Sequence, residues 1–315
     1  MRIVAKSGDD RLASVYVLAM DSGRRVECVD SAPSPYDRRE KWVLIISTLY
    51  GCPVQCRFCD AGLRYRGKLS MEDMLGQVRL MVQARGNGQT IASRKFKVQF
   101  SRVGDPAFNP AVLDVLQAFP DIYDAPGFIP SVSSIAPANC GDFFARLLEI
   151  KKKLYARSFQ FQFSLHSTDP AVRDWLIPVK KWSLPDMADY GRRFFDAGGR
   201  KITLNFVLAK GLVIDRDTLL AHFSPDYFII KVTPLNPTFQ ARKHGMQSLL
   251  PGKQGNETVQ MLRDAGYEVI VSIGDIEENH IGSNCGQYLH ACERHTRPLR
   301  GAYTYPPVSP GAIIR

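Results

Sequence analysis

Residues 42–62 read WVLIISTLYGCPVQCRFCDAG, an apolar run that ends in three closely spaced cysteines. The apolar run predicts a buried strand, and the glycine-bounded segment behind it predicts a loop. Cys52, Cys56 and Cys59 have the spacing C-x₃-C-x₂-C. Three thiolates can hold three irons of a [4Fe–4S] cluster and leave the fourth iron open to a small molecule with oxygen and nitrogen donors. We therefore predict an iron–sulfur site in this loop.

A structural zinc site is the other interpretation of these cysteines. Zinc needs a fourth Cys or His at a compatible spacing, and the nearest other cysteines along the chain are Cys28 and Cys140. Under this interpretation the chain is a basic RNA-binding protein without enzymatic activity. The chain has seven cysteines in all. An odd number scattered over a long sequence favours reduced thiols and a metal site over a disulfide framework.

The composition is that of a soluble globular protein. Of its residues, 45% are hydrophobic and 23% are charged. The length of 315 residues is enough for two domains or one large α/β barrel. The N-terminus has no apolar leader, and no window approaches the roughly 18 apolar residues of a membrane span. We therefore expect a cytoplasmic protein with no membrane partner. The net charge of +10 favours a polyanionic partner such as nucleic acid, although a solvated basic surface explains it as well.

Short apolar runs alternate with longer amphipathic segments along most of the chain. This alternation predicts six βα units with parallel strands. The predicted strands lie at residues 42–49, 97–101, 128–132, 159–164, 202–208 and 227–233, and the helical patterns lie at 71–84, 110–118, 141–153, 184–197, 215–222 and 255–265. The predicted fold class is α/β, a partial (βα)₆ barrel over residues 42–273, with a small N-terminal β extension over 1–41 and an irregular C-terminal tail over 274–315.

Polar residues follow the ends of several predicted strands. Parallel βα units place cofactor-binding groups at the C-terminal ends of their strands, and the candidates there are Gly104, Asp105, Ser131, Ser164 and Asn236. Each has a competing structural interpretation. The aspartate precedes a proline and could serve a turn, the serines could satisfy loop backbone, and the asparagine lies between two prolines.

Two further residues are candidates with a strong structural alternative. His166, in the sequence SLHS, could contact substrate or relay a proton, but a single histidine of this kind is more often a hydrogen-bonded structural residue. Cys285, in the sequence SNCGQ, lies in the non-periodic tail, where an isolated cysteine is most often a small buried apolar residue.

Taken together, the motifs resemble the class A radical S-adenosylmethionine (SAM) methylases. These enzymes methylate adenine at carbon-2 in ribosomal RNA and tRNA, and their antibiotic-resistance relatives act at carbon-8. The similarity runs from about residue 23 to residue 289. It rests on the order and spacing of DSGRRVECV, GCPVQCRFCDAG, KLSMEDMLGQV, VGDPAFN, SVSSIAP, FSLHSTDPAVRDWLIPVKK, LNP and NCGQ.

The resemblance implies a radical SAM barrel in which Cys52, Cys56 and Cys59 bind the [4Fe–4S] cluster and the strand-end candidates bind SAM. It also implies that Cys285 receives a methyl group from one SAM. A 5′-deoxyadenosyl radical from a second SAM would abstract hydrogen from that methyl group, and the carbon radical would add to adenine. The implied partners are RNA or another adenine-containing or small-molecule substrate, and an electron donor such as flavodoxin or ferredoxin.

Two departures from the family pattern concern substrate handling. The family has a second essential cysteine seven residues before the first cluster cysteine, which resolves the protein–RNA adduct by closing a disulfide, and here Ile45 occupies that place. Cys28, Cys140 or Cys292 could replace it if the fold brings one of them close. The stretch EENHIGS before Asn284 also departs from the pattern. The alternative enzymatic prediction is a radical SAM reaction on a small metabolite or natural product.

Overall fold

A computed structural model of the chain describes residues 1–33, 35–274 and 276–294. These residues form two compact units. The first unit contains Met1–Pro53, Cys59–Ser131 and the described residues after 274, and the second contains Val54–Phe58 and Val132–Gly274. The boundaries of the units cut across the three segments expected from the sequence. The division at residues 41 and 273 therefore stays a prediction.

The first unit has five strands that pair in chain order. They are β1 Arg2–Gly8, β2 Ala13–Ala19, β3 Arg25–Ser31, β4 Trp42–Ile46 and β5 Phe96–Phe100. Strands β1 to β4 pair antiparallel, and β4 and β5 pair parallel. The N-terminal β extension is thus three antiparallel strands. It continues directly into the parallel strands, because Val29 of β3 lies opposite Ile45 of β4.

Helices α1, Met71–Gln83, and α2, Ala111–Ile122, follow β4 and β5. Helix α1 begins where the sequence predicts, since Ser70 and Asp73 form a capping box that satisfies two backbone amides. Gln77 of α1 is fully buried, and its side-chain amide makes hydrogen bonds of 2.9 and 3.0 Å with the backbone of Ser47. These bonds tie the helix to the end of β4, where the segment with the three cysteines begins.

Strand β6, Phe128–Ser134, is buried along its whole length and contains the boundary between the two units. The second unit continues with four strands that pair parallel in chain order: β7 Gln160–Ser164, β8 Ile202–Leu208, β9 Phe228–Pro234 and β10 Val269–Val271. Its helices are α3 Gly141–Ile150, α4 Pro170–Leu176, α5 Leu184–Phe194, α6 Arg216–His222, α7 Phe239–Lys243 and α8 Lys253–Asp264.

Aromatic rings form the core between β7 and the helices of the second unit. Phe161 of β7 packs edge-on against Phe144 of α3 and Tyr190 of α5, with ring centroids 6.3 and 5.5 Å apart. The Tyr190 hydroxyl donates a 2.8 Å hydrogen bond to the Phe144 carbonyl. Burying large rings with their polar tips satisfied stabilises the packing of helices against the strands. The polar residues at the ends of the strands take no part in this aromatic packing.

The structure confirms the α/β class, and each of the six predicted strands is present. Three short elements, α4, α7 and β10, are absent from the sequence-based prediction. The C-terminal tail differs more, because it contains a short 3₁₀ turn, Ile276–Asn279, and helix α9, Gln287–Arg294, instead of being wholly irregular. In the described part of the chain, none of the helices has the length and apolar character that crossing a lipid bilayer requires.

Candidate functional site

The three clustered cysteines follow β4 in a loop, residues 51–62, which we call the cysteine loop. Cys52 is buried, and Cys56 and Cys59 are half-buried. Cys52 and Cys59 belong to the first unit and Cys56 to the second. The chain before the loop is joined to the chain behind it, since Tyr50 N donates to Gly67 O at 2.9 Å and Arg66 N donates to Tyr50 O at 2.6 Å.

The donor set of the cysteine loop suits iron–sulfur chemistry. In the described part of the chain, no group of three or more His, Cys, Asp or Glu side chains is placed so that it could hold one metal ion. A [4Fe–4S] cluster makes a different demand, because each cysteine binds its own iron and the sulfur atoms need not converge on one point. Three thiols within eight residues, Cys52 to Cys59, provide the soft ligands that such a cluster prefers. Their role as cluster ligands stays a prediction.

Three of the predicted SAM-binding residues lie in the first unit. Gly104 follows β5 at a close approach, where an added Cβ would lie 2.5 Å from the side chain of Leu49. Asp105 is 7% exposed and caps a short 3₁₀ helix, because its carboxylate accepts a 3.0 Å hydrogen bond from Ala107 N. Ser131 is buried in β6. Asp105 thus has the turn role that the sequence analysis weighed against cofactor binding, and SAM binding by these three residues stays a prediction.

The other predicted SAM-binding residues lie in the second unit. Ser164 ends β7 and pairs with Asn205 of β8, so it stands at the C-terminal edge of the parallel strands as expected. The side-chain oxygen of Asn205 is buried there and makes no hydrogen bond within the described residues. Asn236 follows β9 and is exposed. The structure therefore places both predicted residues at strand ends, and their contact with SAM stays a prediction.

His166 has a structural role in the second unit. Its Nδ1 accepts a 3.2 Å hydrogen bond from Val207 N, and its ring packs edge-on against Phe58 at 5.0 Å. Burial, reinforced by the nearby charge of Arg173, lowers the pKa of His166 to about 3. The imidazole is therefore neutral at physiological pH. His166 is thus a hydrogen-bonded structural residue, as single histidines of this kind most often are.

Cys285 lies against the cysteine loop within the first unit. Its backbone carbonyl is 3.8 Å from Cys59 Sγ, and its own thiol is 3.4 Å from the Ser101 carbonyl, at the end of β5. The next residue, Gly286, has φ of +79°, and an added Cβ would lie 2.3 Å from Ala61 N. Only glycine fits such a left-handed, close approach. The fold thus places residue 285 beside Cys59, which lies more than two hundred positions away in sequence.

A buried ion pair holds this part of the tail in place. Glu27 of β3 is fully buried, and its Oε1 lies 2.8 Å from Nε of Arg102. The same carboxylate accepts hydrogen bonds of 2.5 Å from Gly286 N and 2.8 Å from Leu289 N, at the start of α9. Arg102 donates to the carbonyls of Ser283 and Gly282. The two charged side chains therefore fix the backbone on both sides of Cys285.

Sequence reasoning did not single out Glu27 and Arg102. Burial raises the pKa of the Glu27 carboxyl, and the opposing charge of Arg102 lowers it. The available signal was an acidic residue between the apolar residues Val26 and Cys28 of β3, the strand RVECVDS. A charge in a buried strand needs a partner, and the arginine directly behind β5 is that partner.

Three cysteines, Cys28, Cys140 and Cys292, are the candidates to replace the resolving thiol that is missing at Ile45. Cys28 is adjacent to Glu27 in β3, and side chains alternate between the faces of a strand, so Cys28 faces away from the Cys285 side. Burial raises the pKa of Cys28 above its ordinary range. Cys292 lies in α9, and burial raises its pKa to about 12. Cys140 belongs to the second unit. Replacement of the missing resolving thiol therefore stays an open prediction.

Comparison with known proteins agrees with this architecture. No protein-family model matches the chain. The chain is similar to the probable dual-specificity RNA methyltransferase RlmN of Moorella thermoacetica, with 26% identity over 302 residues that cover 92% of this chain and 78% of the relative. It is also similar to the protein of the same name from Mycolicibacterium paratuberculosis, with 29% identity over 272 residues, 82% of this chain and 70% of the relative.

A solved structure shares the fold. The crystal structure of a radical SAM methyltransferase from Sphaerobacter thermophilus matches with a TM-score of 0.70 and 20% sequence identity, over 90% of this chain and 80% of that chain. The match covers both compact units of the chain, and it confirms the predicted fold class.

Proposed function

We propose that this chain, a divergent relative of the class A radical SAM methylases, methylates an adenine carbon in RNA or another adenine-bearing substrate. In this proposal a [4Fe–4S] cluster and SAM are the cofactors, and Cys285 is the methyl carrier. The similarity to curated RNA methyltransferases supports the substrate class. The net charge of +10 favours a polyanionic partner as well.

In this proposal Cys52, Cys56 and Cys59 hold the cluster, and the residues at the strand ends orient SAM. When bound, the cluster supplies the electron that cleaves SAM to methionine and a 5′-deoxyadenosyl radical. The protein's own residues position the reacting groups and exclude water. A flavodoxin or ferredoxin would supply the electron, and the cytoplasm would keep the thiols reduced.

The observation that carries the proposal is the place of Cys285. A methyl carrier must lie close to the cofactors, and the Cys285 backbone lies 3.8 Å from Cys59 Sγ. The Glu27–Arg102 ion pair holds it there through Gly286 and Ser283. A cysteine that served only as core packing would need neither a buried ion pair around it nor a place beside the cysteine loop.

Nucleoside analysis after an anaerobic reaction tests this function. Reconstituted protein is incubated with SAM, a chemical reductant and RNA, and the RNA is digested and analysed by mass spectrometry. The proposal predicts an adenosine with a methyl group on a ring carbon, together with 5′-deoxyadenosine. Formation of 5′-deoxyadenosine with no methylated adenosine would instead favour a radical SAM reaction on a different small molecule, the alternative that Ile45 raises.

A further inference from the structure

A pocket in the first unit borders the residues on either side of Cys285. Its wall includes Gly51 and Ala61 from the two ends of the cysteine loop, and Gly286 and Leu289 from the tail. Gly286 directly follows Cys285 and touches the backbone of Ala61. The pocket therefore lies next to the proposed methyl carrier, and nothing in the mechanism above uses it.

Four arginines dominate the charge of this pocket. They come from two separate stretches of the chain, Arg24 and Arg25 at the start of β3 and Arg64 and Arg66 behind the cysteine loop. The pocket also contains two carboxylates, those of Asp60 and Glu293. Arginine binds phosphate through a planar fork of donors, which makes it the preferred residue for phosphate recognition. The excess of arginine over carboxylate points to an anionic ligand.

Arg24 is held in position before any ligand binds. Its guanidinium lies 3.9 Å from the centroid of the Tyr50 ring, its Nη1 donates a 3.0 Å hydrogen bond to the Arg66 carbonyl, and its Nε lies 3.2 Å from Ser22 Oγ. A cation stacked on an aromatic face is stabilised by the charge distribution of the ring. This arginine therefore needs little reorganisation to meet an anion.

Arg25 and Arg64 remain available for a ligand. Both side chains are exposed, and within the described residues neither forms a hydrogen bond or ion pair. Nη1 of Arg66 lies 3.9 Å from Oε1 of the half-buried Glu293, too far for a strong pairing. The pocket thus combines one fixed arginine with two whose side chains form no ion pair within the described residues.

We infer that this pocket binds a phosphate group of the nucleotide substrate and so positions the adenine near Cys285. The inference rests on the proposed function for the identity of the nucleotide. The phosphate could belong to a free adenine nucleotide or to the backbone of an RNA strand, and the chemistry of recognition is the same in both. Arg25 and Arg64 make the two contacts that are easiest to remove without disturbing the fold, because they are exposed and unpaired within the described residues.

Fluorescence anisotropy of a short labelled single-stranded RNA measures the contribution of these arginines. The double variant Arg25→Gln/Arg64→Gln should bind the RNA about tenfold more weakly at low salt, because two phosphate contacts are lost. The slope of log affinity against log salt should fall in magnitude by about 1.4, since each contact to a single strand contributes about 0.7. The cluster-loaded protein is used throughout, and no turnover is needed.

A matched control variant makes the same change of charge at the opposite end of strands β4 and β5. Arg39→Gln/Arg94→Gln removes two exposed arginines just before β4 and β5, whereas the pocket lies behind their C-terminal ends. The control should bind RNA as the unmodified protein does. Equal binding by the Arg25/Arg64 variant and the unmodified protein, or an equal loss in the control, would overturn the inference. Binding of neither the RNA nor adenosine monophosphate by the unmodified protein would overturn it as well.

Competition distinguishes the two sources of phosphate. Displacement of the labelled RNA by adenosine monophosphate but not by adenosine would assign the pocket to a single nucleotide phosphate. Displacement only by an unlabelled oligonucleotide would assign it to the RNA backbone. Displacement by adenosine as strongly as by its monophosphate would contradict phosphate recognition.

Different results would contradict phosphate binding by the pocket and the proposed methyl-carrier function. Methylation of Cys285 is read by peptide mass spectrometry and does not depend on Arg25 or Arg64. An RNA affinity that is insensitive to these arginines, with Cys285 methylated, would overturn the pocket alone. An RNA affinity that depends on them, with Cys285 unmethylated, would overturn the methyl-carrier function and leave the pocket in place.

Discussion

At the scale of single residues, the account depends on what each thiol does. The three cysteines of the cysteine loop are recognisable from spacing alone, because a local sequence sets their proximity. The place of Cys285 is not, since its neighbour Cys59 is 226 positions away and only the folded chain brings them together. Cys285 is thus the residue for which the structure adds most.

The predicted cluster ligands are tested by the substitution Cys56→Ala. Two cysteines cannot hold a cluster with one open iron, so we expect the variant to lose SAM cleavage almost completely. The measurement is 5′-deoxyadenosine released under reducing, anaerobic conditions. Cys140→Ala, which removes another half-buried thiol of the second unit, should cleave SAM normally. Appreciable 5′-deoxyadenosine from Cys56→Ala would contradict the assignment.

Cys285→Ala separates methyl transfer from radical formation. The variant keeps the three predicted cluster ligands, so it should still release 5′-deoxyadenosine without coupling to product. Methylated adenosine should be absent from its RNA, because no thiol receives the first methyl group. Both products are quantified in the same reaction mixture. Normal methylation by this variant would reduce Cys285 to a packing residue.

The burial of His166 leads to a prediction about how the stability of the folded protein depends on pH. Its pKa is about 3 in the folded protein and about 6.5 in an unfolded chain, so below pH 6.5 the unfolded state binds more protons and stability falls. Between pH 7.5 and pH 5.5 the loss is about 1.4 kcal/mol from this group. His166→Asn keeps an acceptor for Val207 N and tolerates the left-handed backbone. Its stability should fall less over the same interval, and an identical fall in both proteins would contradict this role.

At the scale of elements, the Glu27–Arg102 pair joins strand β3 to the segment that carries Cys285. Removing one partner leaves a buried charge without compensation, at a cost of about 3–5 kcal/mol. Arg102→Met should therefore loosen residues 276–294, which are held by Gly286 N and Leu289 N. Limited proteolysis should cut this segment faster than in the unmodified protein, while α1 and β4 stay protected.

A double variant serves as the control for that substitution. Glu27→Gln/Arg102→Met removes both charges and keeps an acceptor for the amides of the tail, so part of the lost stability should return. Stability is compared by chemical unfolding of the same cluster-free preparations. If the double variant is less stable by the sum of the two single effects, the residues do not act as a pair.

The helices and strands also show which elements can be predicted from sequence patterns and which cannot. The six parallel strands and α1 were predictable, because apolar periodicity and the Ser70 cap are local signals. Helices α4 and α7 were missed, since elements of seven and five residues give few turns for periodicity, although α6 was predicted at the same length as α4. Helix α9 was missed for the same reason, with eight residues, and its position depends on the distant residue Glu27.

At the scale of the whole molecule, the fold and the sequence similarity agree. The structure of the Sphaerobacter thermophilus radical SAM methyltransferase covers 90% of this chain, and the curated RNA methyltransferases cover 92% and 82% of it. The fold class could be predicted because βα alternation extends over most of the chain. The arginine pocket beside Cys285 could not be predicted, because its arginines come from segments that are separated in sequence and have no shared pattern.

The central claim is that Cys285 carries a methyl group between SAM and the substrate. Its most direct test is peptide mass spectrometry across residue 285 after anaerobic incubation of the cluster-loaded protein with SAM that is deuterated in the methyl group. The account predicts a deuterated methyl group, or the methylene derived from it, on Cys285 Sγ, and no label on Cys140. An unmodified Cys285 in protein that has released 5′-deoxyadenosine would contradict the account.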